Sequence, residues 1–169
     1  MSCMKSQEVD HEFWMEQALL EARKAQAIGE VPIGAVLVRQ GQIIGRGYNQ
    51  VETTKDPTAH AEILAIREAA GQVGGWRIPD STLYVTMEPC SMCAGAIVLA
   101  RIDQLVIGAM DPKAGACGSL FNIPQDQRLN HSVTIESGIL EEKCSLLVRQ
   151  FFQSLRARNK VRKKITSKI

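Results

Sequence analysis

The sequence has no hydrophobic run long enough to cross a membrane. Its longest nearly apolar stretch is residues 94–100, whereas a membrane-spanning helix needs about 20 apolar residues. The first ten residues carry a single Lys and no apolar block, so they lack the composition of a secretory signal. We therefore expect a cytoplasmic protein with no membrane partner.

Cysteines in a disulfide-like spacing are also missing. The chain has five cysteines, an odd number, and this favours a reducing compartment in which thiols remain available to a metal ion. The 169 residues contain no low-complexity tract, internal repeat or linker, and 45% of them are hydrophobic. One domain with one substantial core is the natural expectation. We assign residues 1–158 to this domain and residues 159–169 to a basic C-terminal tail.

Acidic residues are absent from the last part of the chain. Residues 143–169 hold nine Lys or Arg and no acid, whereas residues 1–142 hold eleven basic residues and all eighteen acids, so their formal charges are +9 and −7. Such a segment is typical of phosphate binding that weakens as salt rises, although a solvated tail that only aids solubility has the same composition. The basic residues nearest the end are Arg156, Arg158, Lys160, Arg162, Lys163, Lys164 and Lys168.

Two short motifs, residues 60–62 (His-Ala-Glu) and residues 89–93 (Pro-Cys-Ser-Met-Cys), contain the groups best suited to chemistry. His60, Cys90 and Cys93 supply one imidazole and two thiolates, a ligand set that suits zinc. Three protein ligands leave the fourth tetrahedral position open for a water molecule that the metal acidifies. Glu62 remains as a carboxylate that could move protons. The two motifs together predict a metal-dependent hydrolase.

The first motif lies at a predicted helix start. Apolar residues recur at helical spacing after residue 58, with Thr58 as the expected N-cap and Gly71 as the expected end of the helix. His60 and Glu62 would then lie in the first turn. Residues two apart cannot share a lateral face of a helix, but both side chains could reach a metal beyond the helix end.

The cysteine motif is also predicted to start a helix. It begins with a Pro and is followed by an apolar run, which predicts a strand-to-helix turn with both thiols in the opening turn. The helix dipole favours thiolates there. A lone Cys-x-x-Cys is equally typical of a redox pair or of half a structural zinc site, and a lone His-x-Glu indicates little. Their conjunction matches the H-x-E…P-C-x-x-C signature of zinc nucleobase deaminases.

The remaining pattern predicts an α/β domain. Strands are expected at residues 35–39, 43–48, 82–87 and 104–108, with a weak last strand at 133–135, and further helices at 10–27 and 140–158. The first two strands form a hairpin, and the third and fourth are joined by a βαβ crossover, which should be parallel and right-handed. This order resembles the cytidine deaminase-like fold, a three-layer α/β/α architecture with a central mixed sheet of about five strands flanked by helices.

Five segments resemble the bacterial tRNA-specific adenosine deaminases, and the likeness covers about residues 13–155. The segments are residues 31–36 (Val-Pro-Ile-Gly-Ala-Val), 47–49 (Gly-Tyr-Asn), 60–63 (His-Ala-Glu-Ile), 84–93 (Tyr-Val-Thr-Met-Glu-Pro-Cys-Ser-Met-Cys) and 115–119 (Gly-Ala-Cys-Gly-Ser). The resemblance implies a homodimer that converts the wobble adenosine, position 34 in the anticodon loop of an arginine tRNA, to inosine. It also implies one zinc ion per subunit, bound by His60, Cys90 and Cys93, with Glu62 as the proton shuttle.

Four further residues are expected to contact the substrate. The resemblance assigns Asn49 to the flipped base, although an Asn after a strand is more often a turn residue. Asp111, in the loop after the fourth strand, could accept a hydrogen bond from a ribose 2′-hydroxyl and so favour RNA, or it could be a plain turn residue beside Pro112. Val31, from the first of the five segments, and Phe151, from the closing helix, complete the set.

The expected mechanism is hydrolytic. Glu62 takes a proton from zinc-bound water and passes it to purine N1, hydroxide attacks C6, and Glu62 then helps to protonate the departing ammonia. A base stacked in a duplex hides C6. An anticodon loop, in which the base swings out at low cost, is therefore a suitable target.

Three other functions share parts of this pattern. A free-base or nucleoside deaminase would use the same zinc site but has little use for the basic residues 143–169. A non-catalytic zinc-stabilised RNA-binding module would need a fourth protein ligand, with Cys117 as the candidate, and would not depend on Glu62. A thiol redox protein would need Cys90 and Cys93 free of metal.

Overall fold

A five-stranded sheet forms the centre of the protein. The structure, a computed structural model, describes residues 9–166. In chain order the elements are α1 (His11–Ala27), β1 (Gly34–Arg39), β2 (Gln42–Tyr48), α2 (Val51–Thr54), α3 (Ala61–Val73), β3 (Ser81–Met87), α4 (Ser91–Leu99), β4 (Gln104–Ala109), a 3₁₀ helix (Ile123–Gln125), β5 (Thr134–Ser137) and α5 (Glu141–Thr166). Among these described elements, no helix combines the length and the apolar character that a membrane span requires.

The sheet combines antiparallel and parallel pairs in the strand order β2-β1-β3-β4-β5. β1 pairs antiparallel with β2 and with β3, whereas β3 pairs parallel with β4 and β4 with β5. The predicted hairpin, the predicted parallel pair and the mixed sheet of five strands are therefore confirmed. The last strand, only weakly indicated by the sequence, lies one to two residues later than expected.

Helices cover both faces of the sheet. Successive side chains of a strand point to opposite faces, so that Leu37 packs in an apolar cluster with residues of α3 and α4. Its neighbour Val36 packs with Tyr84 and with residues of α1 and α5. The domain is thus a three-layer α/β/α structure, as predicted.

Three helices differ from the sequence-based expectation. α3 passes through Gly71 and ends at Gly74, which is the left-handed C-cap at φ 71°. The short helix α2 occupies part of a segment, residues 51–57, that has the polar composition of a loop. α5 continues to Thr166, beyond residue 158. Much of the expected tail is therefore helical. The domain boundary at residue 158 stays a prediction. Lys168 lies outside the described residues.

Two glycines allow α3 to lie directly on β2. A Cβ atom at Gly45 would be 2.1 Å from Ala65 O, and one at Gly47 would be 2.0 Å from Ala61 O. Both contacts are with helix backbone, which cannot move aside cheaply. The close approach fixes the position of the start of α3, where His60 lies, relative to the sheet.

Gly47→Ala is expected to destabilise the protein by about 1–3 kcal/mol, the usual cost of overpacking, which is roughly 2–10 °C in Tm for a chain of this size. The matched control is Gly71→Ala on α3, because a Cβ there would meet nothing within 4 Å. This control should gain about 0.5–1 kcal/mol from higher helix propensity. Thermal denaturation of both variants measures the difference, and equal Tm values would contradict the close packing.

Candidate metal centre and active site

Each metal-binding motif lies at the start of a helix. His60 is the N-cap residue of α3 and Cys90 is that of α4, both with extended backbone. Neither side chain caps its own helix, so the imidazole and the thiol are available to a ligand. Thr58 is not the N-cap predicted from the sequence, because its N–H and its hydroxyl both donate to Asp56 Oδ1.

The three predicted ligand atoms form one cluster. His60 Nδ1 lies 3.7 Å from Cys90 Sγ and 3.6 Å from Cys93 Sγ. Zinc bonds of about 2.3 Å to sulfur and about 2.0 Å to nitrogen, at tetrahedral angles, require a nitrogen–sulfur separation of about 3.5 Å. The distances meet this requirement, so the three residues fit a zinc ion.

The protonation of the cluster also suits a metal ion. The hydrogen bond from the Cys93 thiol, and then the one from His60, lower the pKa of the Cys90 thiol to about 3. The contact with Cys90 raises the pKa of Cys93 and that of His60. Zinc binds thiolates and a neutral imidazole, so metal binding would compete with protons for these three groups.

Glu62 lies in the first turn of α3, next to the ligands but not among them. It is only 3% exposed, and its carboxyl group is hydrogen bonded to Cys93. Burial is the largest effect on this group and raises the pKa of Glu62 to about 7. A carboxyl group with a pKa near neutrality is suited to accept a proton and to return it.

Cys117, the candidate for a fourth protein ligand, lies outside the cluster. Among the described residues, the one group of side chains arranged to hold a metal ion consists of His60, Cys90 and Cys93. The Cys117 sulfur instead lies 3.9 Å from Pro89 O, and burial raises the pKa of this thiol to about 12. The geometry favours three protein ligands and an open fourth position, the arrangement of catalytic zinc sites.

A cavity of about 540 Å³ opens beside the cluster. Its lining brings together the predicted substrate contacts and the predicted reacting groups, namely Val31, Asn49, Asp111, Phe151, His60, Glu62 and Cys90. A cavity of this size with mainly apolar walls and a few polar groups is typical of ligand binding. That the first four residues touch substrate stays a prediction.

Asn49 is held by an acidic residue that was not predicted from the sequence. Asn49 is 8% exposed, and its Nδ2 donates to Glu30 Oε2 at 3.4 Å. Glu30 is 1% exposed and also accepts from Thr53 N–H at 2.6 Å. Since an ionised carboxylate only accepts hydrogen bonds, Glu30 sets the orientation of the Asn49 amide in the cavity wall.

Asp111 forms a turn, which was one of the two roles expected for it from the sequence. Its Oδ1 accepts from Lys113 N–H at 2.9 Å and from Ala114 N–H at 3.3 Å, which is an Asx turn. Because Asp111 also lines the cavity, the turn role does not compete with contact to a ribose hydroxyl. The contact itself stays a prediction.

Glu88 is a second acidic residue that was not predicted as functional. It is 4% exposed, and its carboxylate accepts from Asp111 N–H at 2.8 Å, Cys117 N–H at 3.0 Å and Ser119 N–H at 2.9 Å, and also from the Ser119 hydroxyl. Burial acts to raise the pKa of Glu88, but these hydrogen bonds outweigh it and hold the pKa below its usual value. An acid at the end of an apolar strand, directly before Pro89, is the sequence signal that could have identified it.

Comparison with known proteins identifies the family. Residues 8–109 match the family described as the cytidine and deoxycytidylate deaminase zinc-binding region. The tRNA-specific adenosine deaminase of Bacillus subtilis (strain 168) is 50% identical over 153 residues, which are 90% of this chain and 95% of the relative. This chain belongs to the tRNA-specific adenosine deaminase family. The relative from Haemophilus influenzae (strain ATCC 51907 / DSM 11121 / KW20 / Rd), which has the same name, is 50% identical over 150 residues, 88% of this chain and 87% of its own.

A solved structure shows the same fold for a member of this deaminase family. It comes from studies of A-to-I editing by tRNA:A34 deaminases at the wobble position of transfer RNA, and it is 46% identical with a TM-score of 0.77, covering 80% of this chain and 98% of its own. The predicted family, the cytidine deaminase-like fold and the deaminase class are therefore confirmed. The zinc cofactor is confirmed as well, because the matched region is a zinc-binding one and the cluster of ligand atoms fits the ion.

Proposed function

We propose that this deaminase converts the wobble adenosine, position 34 in the anticodon loop of an arginine tRNA, to inosine. The observation that carries the proposal is a cluster of three zinc ligands beside a cavity that is lined by two of them, His60 and Cys90, by the carboxyl group of Glu62 and by one end of a basic helix. The relatives named as tRNA-specific adenosine deaminases support both the base and the nucleic acid.

Glu62 is the residue that moves protons in the proposed reaction. Zinc, when bound, acidifies water so that it can attack carbon near neutral pH. Glu62 accepts the released proton and donates to N1 of the purine, which makes C6 more electrophilic. It then takes the proton of the new hydroxyl group on C6 and passes it to the departing amino group, so that adenosine and water yield inosine and ammonia. The burial of Glu62, 3% exposed, limits proton exchange with bulk water.

The cavity is suited to a base that has left its stack. Val31 and Phe151 provide apolar walls, and Asn49 and Asp111 provide polar groups. An unstacked base needs both, because its faces are apolar and its edge must form hydrogen bonds. In an anticodon loop the base is already unpaired, so extruding it costs less than in a duplex.

The helix that bounds the cavity also carries the basic charge. Phe151 and Phe152 of α5 line the cavity. An α-helix rises about 1.5 Å per residue, so the part of α5 from residue 152 to residue 163 extends about 16 Å away from the cavity wall. Arg156, Arg158 and Lys160 are exposed along this part. A free nucleoside is too short to meet these charges, whereas a stem-loop has phosphates at such distances. The charge therefore favours RNA over a free-nucleoside substrate.

A homodimer with one zinc ion per subunit is part of the proposal. Leu99 on α4 is 64% exposed, and Leu120 and Phe121, just before the 3₁₀ helix that contacts α4, are 54% and 62% exposed. Leu120 and Phe121 are neighbours in the chain, and large apolar side chains exposed side by side are typical of protein interfaces. A tRNA substrate also accords with a cytoplasmic site of action.

Purified protein should form inosine from an anticodon stem-loop with adenosine at the wobble position. The same stem-loop with cytidine there should stay unchanged. The products are measured by nuclease digestion and mass spectrometry. KM for the stem-loop should rise as salt rises, because phosphate contacts release counterions, whereas KM for free adenosine should be high and insensitive to salt. Equal efficiency on free adenosine and on the stem-loop would favour the nucleoside deaminase.

A further inference from the structure

Glu88 connects the metal centre to the opposite wall of the cavity. It lies two residues before Cys90, and its own N–H donates to Ala109 O at 2.8 Å, which extends the β3–β4 pairing past the end of β3. From this fixed backbone position its carboxylate binds Asp111 N–H at 2.8 Å. Glu88, Cys90 and Asp111 line the same cavity, together with Ala114.

The loop that follows β4 is folded around this carboxylate. Each Glu88 oxygen accepts two hydrogen bonds from the loop, Oε1 from Cys117 N–H and Ser119 N–H, and Oε2 from Asp111 N–H and the Ser119 hydroxyl. A Cβ atom at Gly115 would be 2.1 Å from Glu88 Oε2. The loop can therefore enclose the carboxylate only because residue 115 has no side chain.

We propose that Glu88 is a positioning residue for the substrate. Its carboxylate sets the distance between the wall formed by Asp111 and Ala114 and the metal ligand Cys90, and hence the position of the nucleoside relative to the reacting groups. The inference rests on the proposed function, because it requires a nucleoside in this cavity. A displacement of about 1 Å in such a wall can cost about 100-fold in rate.

The substitution Glu88→Gln isolates this role. Two N–H groups face Oε1, whereas one N–H group and one hydroxyl face Oε2. The new amide nitrogen therefore occupies the Oε2 position, where the Ser119 hydroxyl can turn to accept from it. Asp111 N–H alone then loses its acceptor, so the change loosens the cavity wall while the rest of the loop stays bound.

Kinetics on the adenosine stem-loop, at a temperature well below Tm, should show the effect. Glu88→Gln should lower kcat by about 10-fold or more while the zinc content stays at the wild-type level. Ser119→Ala, the matched control, removes one hydrogen bond outside the cavity and should change kcat and KM by no more than about threefold. The double variant should lose more than the product of the two single losses, because the amide then has no acceptor.

The inference is overturned if zinc-loaded, folded Glu88→Gln has wild-type kcat and KM, or if Ser119→Ala loses as much activity as Glu88→Gln. Wild-type protein inactive on the stem-loop would instead defeat the proposed function. If Glu88→Gln does not fold, Gly115→Ala decides, since its Cβ would lie 2.1 Å from Glu88 Oε2 and 2.6 Å from Asp111 O. It therefore separates the carboxylate from the loop without removing a polar group, and the same loss of kcat is expected. Failure of both variants to fold would also overturn the inference, because the contact would then serve folding rather than positioning.

Discussion

Glu62→Ala is expected to lower kcat on the adenosine stem-loop by about 10²–10⁴-fold, the usual contribution of a general acid–base group. Glu62 is the protonatable side chain that contacts the ligand cluster without belonging to it, so its loss removes proton transfer and leaves zinc bound. Zinc content, measured by atomic absorption, should therefore equal that of the wild type. Glu62→Gln should be equally inactive, because an amide keeps the shape but carries no transferable proton.

Glu68→Gln is the matched control on the same helix. Glu68 is an exposed acid of α3 that accepts from Arg46 N–H at 2.6 Å and does not line the cavity. Its activity should stay within about threefold of wild type. A Glu62→Gln variant that keeps most of its activity would mean that another group moves the protons. Wild-type protein that binds zinc but has no activity on RNA would instead favour the non-catalytic zinc module.

Cys93→Ala is expected to abolish zinc binding and activity together. Cys93 is fully buried at 0% exposure and provides one of three clustered ligand atoms, so the two remaining ligands hold the ion far more weakly. An ion present at about 1,000 times its Kd stabilises a protein by about 4 kcal/mol, so Tm should fall by about 10 °C in a chain of this size. Chelation of wild-type protein should produce a similar shift, and added zinc should reverse it.

Cys117→Ala provides the control for the loss of a buried thiol. It should retain one zinc ion per subunit, because its sulfur lies outside the cluster and close to Pro89 O. Loss of zinc from this variant would show that Cys117 is a fourth protein ligand and that the site is structural. Cys93→Ala protein with full zinc content would show that the predicted ligand set is wrong.

The elements of this fold could be predicted where local pattern and tertiary structure agree. The helix-period run of α1 and the mainly apolar strands β1, β3 and β4 lie within one or two residues of their expected positions. The two boundary errors of α3 have local causes. Asp56 offers Thr58 an acceptor that competes with the helix, and one glycine costs a helix only about 1 kcal/mol, so α3 continues through Gly71.

The metal ligands could be predicted because their spacing is itself a local pattern. The two buried carboxylates could not, because their hydrogen-bond partners are distant in sequence. Glu30 meets Asn49, 19 residues away, and Glu88 meets Ser119, 31 residues away. A buried charge requires several donors around it, and only the folded chain brings these donors together.

Neither α3 nor α4 begins with a side chain that holds its first turn. The first N–H groups of both helices therefore receive no acceptor from the side chain of the N-cap residue. A zinc ion bound to both His60 and Cys90 would connect the starts of α3 and α4, although the two residues are 30 positions apart in the chain. Zinc binding would therefore also order the starts of both helices.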